Sequence, residues 1–294
     1  MFEEAQYFAP VNTKDDGSVE VELASSHPGF SDSDYRDRRN KLAALAVDWS
    51  PGKPVPVAPY TDTEHEVWRK VSTELAVKHR GLASQEFLDG AEELSLPGDR
   101  IPQLSEVSEK LSPITGFSYR PAAGLVPLLD FYGVLEDSQF HSTQYIRHHS
   151  VPFYTPEPDV VHEVIGHANA LAHPRFAALY RLAGQAARRV ESDEALEFVS
   201  KVFWFTMEFG VIGEKDGLKA YGAGILSSYG EIDEFRKMDI RPLDLRQMGT
   251  VDYDITKYQD ILFKAESMDE LEDVVGTFWA ECDDEKIEEI LHGK

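Results

Sequence analysis

The chain of 294 residues carries 53 acidic side chains against 29 lysines and arginines, which gives a formal net charge of −24. A charge this negative argues against binding to nucleic acid or to anionic membrane surfaces. Hydrophobic residues make up 42% of the sequence, which is typical of a globular protein with a substantial core.

The sequence contains one cysteine, Cys282, so no disulfide can form within the chain. A reducing compartment suits such a sequence, and we expect a cytoplasmic protein. The N-terminus lacks the basic segment and apolar core of a secretory signal. Because no apolar run approaches the roughly 18 to 20 residues that cross a bilayer, we expect no membrane partner and no nucleic-acid partner.

Helix signals recur along the chain after an acidic, polar N-terminal segment. We expect residues 1–32 to form an irregular arm. The four prolines of 51–59 predict a loop. The sequence Thr61-Asp-Thr-Glu64 is a capping box, in which the first and last side chains satisfy each other's backbone N–H groups. Capping and amphipathic spacing predict helices over 33–47, 61–80, 84–94, 101–111, 174–190 and 194–209.

The remaining segments have other patterns. Between 116 and 150, short apolar runs broken by proline and glycine indicate strands and loops. Gly222 and Gly224 predict a kinked segment over 220–229, where backbone approaches a ligand closely. The last 30 residues hold 11 acidic side chains and predict a solvated helix. We therefore predict a mainly α fold with a minor β component, built as one domain over 33–294.

Two histidines five residues apart, His162 and His167, suggest a metal site, with Glu163 between them. On a regular α-helix, residues five apart lie about 140° apart around the axis. Both imidazoles can therefore reach one ion only near a helix start or at a distortion. Zinc peptidases of the H-E-x-x-H type place their ligands four residues apart instead. The alternative for this pair is two core or helix-start histidines without a metal.

Glu208 is the candidate for a third ligand, since it lies in an apolar run where an unpaired carboxylate is costly to bury. Two neutral imidazoles and one carboxylate form the facial triad of non-haem Fe(II) oxygenases, which leaves positions open for oxygen and substrate. The alternative for Glu208 is a solvated carboxylate on a helix surface.

Several further motifs resemble, in the same order, the catalytic domain of the pterin-dependent aromatic amino acid hydroxylases. The resemblance extends from about residue 33 to about residue 278. Together with the two histidines, the motifs that carry it are Ile101-Pro-Gln-Leu104, Gly116-Phe117, Arg120-Pro121, Ala123-Gly124, the stretch 140–148, Tyr154-Thr-Pro-Glu-Pro-Asp159, the stretch 204–210, Lys219-Ala-Tyr-Gly-Ala-Gly224, Ser227-Ser-Tyr-Gly-Glu231 and Ala265-Glu-Ser267.

The resemblance implies a hydroxylase catalytic-domain fold that holds iron in a basket-like cavity. It also implies Fe(II), a tetrahydropterin co-substrate and molecular oxygen. The family's iron ligands correspond to His162, His167 and Glu208, the residues that the ligand argument selects. Glu163 is expected to order the pterin or bound water. The implied pterin contacts are Gly124, Phe131, Glu163 and Phe203.

Substrate positions also follow from the resemblance. Arg147 corresponds to the arginine that takes the amino acid carboxylate, since a guanidinium can grip a carboxylate with two hydrogen bonds. The neighbouring positions and the implied pocket wall are Thr155, Ser227, Trp204, Phe209 and Ile255. The family's regulatory domain and long C-terminal oligomerisation helix have no counterpart in the sequence. We therefore expect a bacterial-type monomer.

Two side chains favour phenylalanine as the substrate. Trp204 matches the tryptophan of the phenylalanine and tyrosine enzymes, and the apolar Ile255 cannot hydrogen-bond a substrate hydroxyl. We predict para-hydroxylation of L-phenylalanine to L-tyrosine. The alternatives are meta-hydroxylation, as in a phenylalanine 3-hydroxylase, or tyrosine or tryptophan as substrate. More remote are a zinc metallopeptidase of the H-E-x-x-G-H type, with Glu163 as its base, and a relative with a degenerate site.

Overall fold

A computed structural model of the protein describes residues 10–124, 126–255 and 257–293. Helices dominate these ranges, and the strands form three small sheets. The prediction of a mainly α fold with a minor β component is therefore confirmed. Over the same ranges, no helix combines the length and the apolar character needed to cross a bilayer.

The helices of the described ranges are interrupted by π-helical turns at three places, and two of these turns carry residues of the candidate site. In chain order the α-helices are α1 Ser33–Val47, α2 Asp62–Leu82, α3 Gln85–Leu94, α4 Leu104–Thr115, α5 Leu128–Glu136, α6 Asn169–Leu171, α7 Pro174–Arg189, α8 Asp193–Phe203, α9 Ala223–Ser227, α10 Glu231–Glu234, α11 Leu245–Thr250, α12 Met268–Leu271, α13 Thr277–Glu281 and α14 Asp284–His292. The π-helical segments are His162–Ala168, Trp204–Glu208 and Glu272–Gly276.

Local capping signals position most of these helices. The Thr61 backbone N–H donates to the Glu64 carboxylate at 2.7 Å, and the Glu64 N–H donates to the Thr61 hydroxyl at 3.3 Å. The predicted capping box is therefore present at the start of α2. Helix α4 begins later than predicted because the Glu106 carboxylate accepts the backbone N–H of Gln103, which becomes the N-cap.

The strands are short and lie in three separate sheets. β1 and β2 form an antiparallel hairpin, and β3 and β4 form a parallel pair. The third sheet has the order β6-β5-β8-β7, with β5 antiparallel to β6 and parallel to β8. The strands are β1 Val11–Thr13, β2 Val19–Val21, β3 Ser118–Pro121, β4 Gln139–Ser142, β5 Val211–Glu214, β6 Gly217–Ala220, β7 Asp239–Pro242 and β8 Ile261–Ala265.

Three segments differ from the sequence-based expectations. The part expected to be an irregular arm contains the β1–β2 hairpin, which packs its apolar face on Ala43 of α1. The 116–150 segment contains α5 in addition to its strands. The acidic C-terminus is not one helix, because Cys282 is extended and Asp283 starts α14 by accepting the Lys286 N–H. The division into an arm at 1–32 and one domain at 33–294 stays a prediction.

Close packing between two backbones holds the histidine-bearing turn in place. Gly166, in the first π-helical segment, lies against Ala223 of α9. A Cβ at Gly166 would approach the Ala223 carbonyl oxygen to 2.8 Å, so a larger residue there would force the two segments apart. The turn that carries His162 and His167 is therefore fixed directly against the segment that carries Ser227.

Candidate metal and substrate site

The first π-helical segment brings His162 and His167 together. A π-helix bonds residues five apart, and its single turns occur frequently at functional sites. The Nε2 atoms of the two imidazoles lie 3.0 Å apart. The helix distortion that the five-residue spacing requires is therefore present, and both rings reach the same point.

Glu208 reaches that point from the second π-helical segment, at the end of α8. One carboxylate oxygen lies 3.2 Å from Nε2 of His167, and the other lies 3.5 Å from Nε2 of His162. The Glu208 side chain is buried, with 3% of the residue exposed. Three side chains from two distorted helical turns thus converge on one location.

The far side of each imidazole is fixed by a hydroxyl group. Nδ1 of His162 lies 2.9 Å from Oγ of Ser227, and Nδ1 of His167 lies 2.8 Å from the phenol oxygen of Tyr180. Hydrogen bonds of this kind orient metal-binding histidines and determine which nitrogen faces the ion. Both Nε2 atoms are consequently directed toward the Glu208 carboxylate.

This donor set fits a divalent iron ion. Two ligands at right angles on an ion about 2.1 Å away lie about 3.0 Å apart, which matches the separation of the imidazole nitrogens. Burial lowers the pKa of His162 to about 4. Burial alone would raise the pKa of Glu208, but His167 and His162 hold it below its usual value. Neutral imidazoles and an ionised carboxylate are the protonation states that bind metal.

A cavity of about 230 Å³ opens onto these three residues. Its walls come from segments far apart in sequence, including the stretch between β4 and the first π-helical turn, and the loop before β8. Apart from Phe203, all the site residues predicted from sequence line it: His162, His167, Glu208, Glu163, Gly124, Phe131, Arg147, Thr155, Trp204, Phe209, Ser227 and Ile255.

Phe203 does not reach the cavity. It is fully buried at the end of α8, with its ring 6.4 Å from that of Phe131, which lines the cavity. Its ring also packs edge to face on Tyr132 at 5.0 Å and on Tyr180 at 5.3 Å. Phe203 thus lies behind the wall, where its ring packs toward Phe131, and its part in binding the pterin stays a prediction.

Arg147 is held by a buried carboxylate. Its Nε donates to Asp159 at 2.9 Å, one terminal nitrogen donates at 2.8 Å, and its backbone N–H donates at 2.7 Å. Burial alone would raise the pKa of Asp159, but the guanidinium holds it below its usual value. The cavity is thus lined by a permanently charged group with a fixed orientation. Nearby, the Thr155 hydroxyl donates to the Glu157 carbonyl at 2.7 Å and shapes the loop.

A second part of the cavity suits a flat heterocycle. Phe131 offers an aromatic surface, and Gly124 has no side chain to obstruct it. His141 lines the same wall, and its Nδ1 has no hydrogen-bond partner in the described part of the chain. The Glu163 carboxylate accepts the Thr143 hydroxyl at 3.5 Å, and burial raises its pKa well above the usual value. These groups fit a pterin, which combines a ring face with several hydrogen-bonding edges.

Aromatic rings form the opposite wall. The Trp204 ring lies 4.4 Å from that of Phe209 and stacks on Tyr253 at 4.4 Å and 17°. Gly224 permits this arrangement, since a Cβ there would lie 2.6 Å from the Phe209 ring. Ile255 lines the cavity from the neighbouring loop. The wall is therefore apolar where an aromatic side chain would lie.

Sequence analysis missed four residues with roles in this geometry. Tyr180 lies in the helix predicted over 174–190 and His141 in the stretch 140–148, but the sequence pattern gave neither residue a role. Glu231 was quoted within a motif but given no role, although it lines the cavity. Gln259 lies just after the loop that carries Ile255, and its side-chain oxygen accepts the indole N–H of Trp204. Nothing in the local sequence around Gln259 indicates this contact. Motif context was the available signal for Glu231 and His141.

The site defines a class of protein, namely a mainly helical protein with a buried two-histidine, one-carboxylate centre that opens onto a cavity. Residues 13–286 match the family described as biopterin-dependent aromatic amino acid hydroxylase. The chain belongs to this family, because the match covers most of its length. The predicted family and catalytic-domain fold are therefore confirmed.

Two relatives illustrate the similarity to known proteins. Phenylalanine 3-hydroxylase of Streptomyces coeruleorubidus is 54% identical over 271 residues, which cover 92% of this chain and 97% of the relative. Phenylalanine-4-hydroxylase of Rattus norvegicus is 39% identical over 269 residues, which cover 90% of this chain and 59% of the relative. The chain thus spans little more than half the length of the rat relative.

Solved structures of bacterial phenylalanine hydroxylases are similar to this fold. The apo enzyme of Colwellia psychrerythraea 34H has a TM-score of 0.73 and 29% identity, covering 80% of this chain and 88% of its own. The Chromobacterium violaceum enzyme has a TM-score of 0.72 and 29% identity, covering 77% and 84%. That second structure contains iron(III) and 7,8-dihydrobiopterin.

Proposed function

We propose that this protein is an iron-dependent monooxygenase that hydroxylates the ring of L-phenylalanine, with a tetrahydropterin and molecular oxygen as co-substrates. The observation that carries the proposal is the convergence of His162, His167 and Glu208 on a cavity that also exposes Arg147. The proposal includes the monomeric state and the cytoplasmic location that the sequence predicts. Light scattering of the purified protein tests the first of these.

Two groups would occupy the cavity in this function. His162, His167 and Glu208 would hold the iron, while Gly124 and Phe131 would form the pterin bed together with Glu163. Bound iron and pterin supply the activation of oxygen, and the protein supplies binding, orientation and exclusion of water. The Chromobacterium violaceum structure, with its iron and dihydrobiopterin, supports both assignments.

The chain's own residues position the amino acid. The Arg147 guanidinium binds the substrate carboxylate, and its pairing with Asp159 fixes the direction of its remaining N–H groups. The aromatic ring then lies against Trp204 and Phe209, with Ile255 closing the loop side. Fixing the ring next to the metal ligands lowers the entropic part of the barrier.

The position of hydroxylation separates two candidate functions. The sequence predicts the para carbon, and the rat phenylalanine-4-hydroxylase supports that prediction at 39% identity. The Streptomyces coeruleorubidus phenylalanine 3-hydroxylase is 54% identical across nearly its whole length. This greater similarity favours the meta carbon, so we take meta-tyrosine as the product and para-tyrosine as the second candidate. Membership of the hydroxylase family leaves the zinc metallopeptidase alternative without support.

An assay of the iron-loaded protein tests this function. Phenylalanine, tyrosine and tryptophan are offered separately with a tetrahydropterin and oxygen, and products are separated against para- and meta-tyrosine standards. Meta-tyrosine from phenylalanine is the expected result. Para-tyrosine would support the second candidate and overturn the meta assignment. No product from any of the three amino acids above a blank of the Glu208→Ala variant treated with the same iron would contradict the function itself.

A further inference from the structure

Of the glutamates that line the cavity, Glu231 has no role in the function described so far. Glu157 pairs with the Arg39 guanidinium at 2.5 Å. Glu208 lies between the two histidines, and Glu163 borders the pterin bed. Glu231 is 6% exposed, and no lysine, arginine or histidine in the described ranges forms an ion pair with it. Glu231 therefore lines the cavity as a buried acidic residue that no cationic side chain of the described ranges pairs with, and burying an unpaired charge is costly.

The position of the Glu231 carboxylate is fixed by its surroundings. One of its oxygens accepts the backbone N–H of Gln259 at 2.8 Å. The Gln259 side chain accepts the Trp204 indole N–H at 3.0 Å. The Glu231 backbone N–H donates to the Ser228 hydroxyl at 3.3 Å. Through Gln259, the Glu231 carboxylate therefore has a fixed position relative to Trp204. Trp204 belongs to the aromatic wall against which the substrate ring is proposed to lie.

The energetics favour a cationic ligand at this carboxylate. Burial raises the pKa of Glu231 to about 7. A cation that enters the cavity and contacts the carboxylate would offset the cost of burying its charge. Lys257 also lines the cavity, but its ammonium pairs with Asp254 at 2.9 Å. A cationic group on the bound ligand is therefore the best candidate for the partner of the Glu231 carboxylate.

An α-amino acid carries its ammonium on the carbon next to its carboxylate. The protein group that binds the ammonium and the one that binds the carboxylate must therefore line the same cavity. Arg147 and Glu231 both do so. We propose that Glu231 binds the α-ammonium of the substrate while Arg147 binds its carboxylate. This assignment rests on the proposed function and makes Glu231 the residue that selects amino acids over aromatic carboxylic acids lacking nitrogen.

Binding measurements with two ligands test this role. L-phenylalanine and 3-phenylpropanoate, which lacks the amino group, are titrated into the anaerobic, iron-loaded protein with tetrahydropterin by calorimetry. Glu231→Gln retains the shape of the side chain and an oxygen that can accept the Gln259 N–H. Glu234→Gln is the matched control, because Glu234 lies on the same short helix α10 outside the cavity lining.

We expect the Glu231→Gln variant to bind phenylalanine at least about tenfold more weakly than the unmodified protein does. Its affinity for 3-phenylpropanoate should change less than twofold. The control should bind both ligands as the unmodified protein does. If the variant bound both ligands equally more weakly, or bound both as tightly as the unmodified protein does, the proposed role of Glu231 would be overturned. A wild-type protein that binds phenylalanine but yields no hydroxylated product would refute the proposed function separately, since the binding ratio is measured without turnover.

Discussion

The indole N–H of Trp204 donates a hydrogen bond of 3.0 Å to the side-chain oxygen of Gln259. The amide nitrogen of the same glutamine donates to the carbonyls of Asp254 and Lys257 at 3.0 and 3.1 Å. One buried side chain therefore fixes both an aromatic wall and the loop that carries Ile255. The width of the cavity at this wall is set by a polar network as well as by packing.

Replacing Trp204 with phenylalanine should widen the cavity and admit a larger ring. The substitution removes part of the wall and its hydrogen bond to Gln259. We expect the ratio of kcat/KM for tryptophan to that for phenylalanine to rise about tenfold, as for other changes in pocket size. Competition between the two substrates measures this ratio. Trp49→Phe, outside the cavity lining, is the control. An unchanged ratio in Trp204→Phe would show that this wall does not limit substrate size.

Replacing Glu208 with alanine should abolish tight iron binding, since the two histidines alone provide an incomplete ligand set. We expect the iron content to fall at least about tenfold, because loss of even a supporting partner of a ligand can cost that much. Elemental analysis after loading measures the content, and circular dichroism verifies folding. Glu197→Ala, an exposed carboxylate on α8, should load normally. Stoichiometric iron in Glu208→Ala would rule out this carboxylate as a ligand.

Replacing Arg147 with lysine should weaken substrate binding. A lysine cannot reproduce the two side-chain hydrogen bonds to Asp159, so the cation loses its fixed direction. We expect KM for phenylalanine to rise about 30-fold, with a smaller change in kcat. Saturation kinetics separate these constants. Arg188→Lys, on the protein surface, should leave both unchanged. A KM within twofold of the wild-type value would argue against a carboxylate contact at Arg147.

The buried ring of His79 should make stability depend on pH. Its Nε2 donates to the Leu226 carbonyl at 2.7 Å, and burial lowers its pKa to about 4. Because this pKa lies below that of the unfolded chain, the stabilisation is complete above about pH 6.5 and is lost as the pH falls toward 4. Between pH 7.5 and pH 5, His79 should account for a loss of about 2 kcal/mol in the free energy of unfolding.

Urea unfolding at these two pH values tests that expectation. His79→Gln cannot titrate, so its free energy of unfolding should fall about 2 kcal/mol less than that of the wild type. His292→Gln, with its exposed ring at the end of α14, should follow the wild type. The role of His79 would be refuted by identical losses in wild type and His79→Gln.

Elements with local signals could be predicted, and features that depend on distant contacts could not. The capping box at Thr61 placed the start of α2, because both partners lie within one turn. The spacing of the two histidines required a distortion, but the packing of Gly166 on Ala223 of α9 joins segments that are far apart in the sequence. Glu231 and Gln259 are 28 residues apart, and their hydrogen bond has no trace in the local pattern. The position of Phe203 behind the cavity wall likewise depends on rings from other segments, Phe131, Tyr132 and Tyr180, which the local pattern does not specify.

The π-helical turn at His162–Ala168 makes the metal site sensitive to residue count. The two histidines share one face because the bonds of that turn join residues five apart, where an α-helix joins residues four apart. Deleting one residue between them, such as Val164, would give the four-residue spacing of a zinc-peptidase helix while leaving all three ligands in the chain. A shift of one position in the backbone would thus change how the two imidazoles face each other, although all three candidate ligands would be kept.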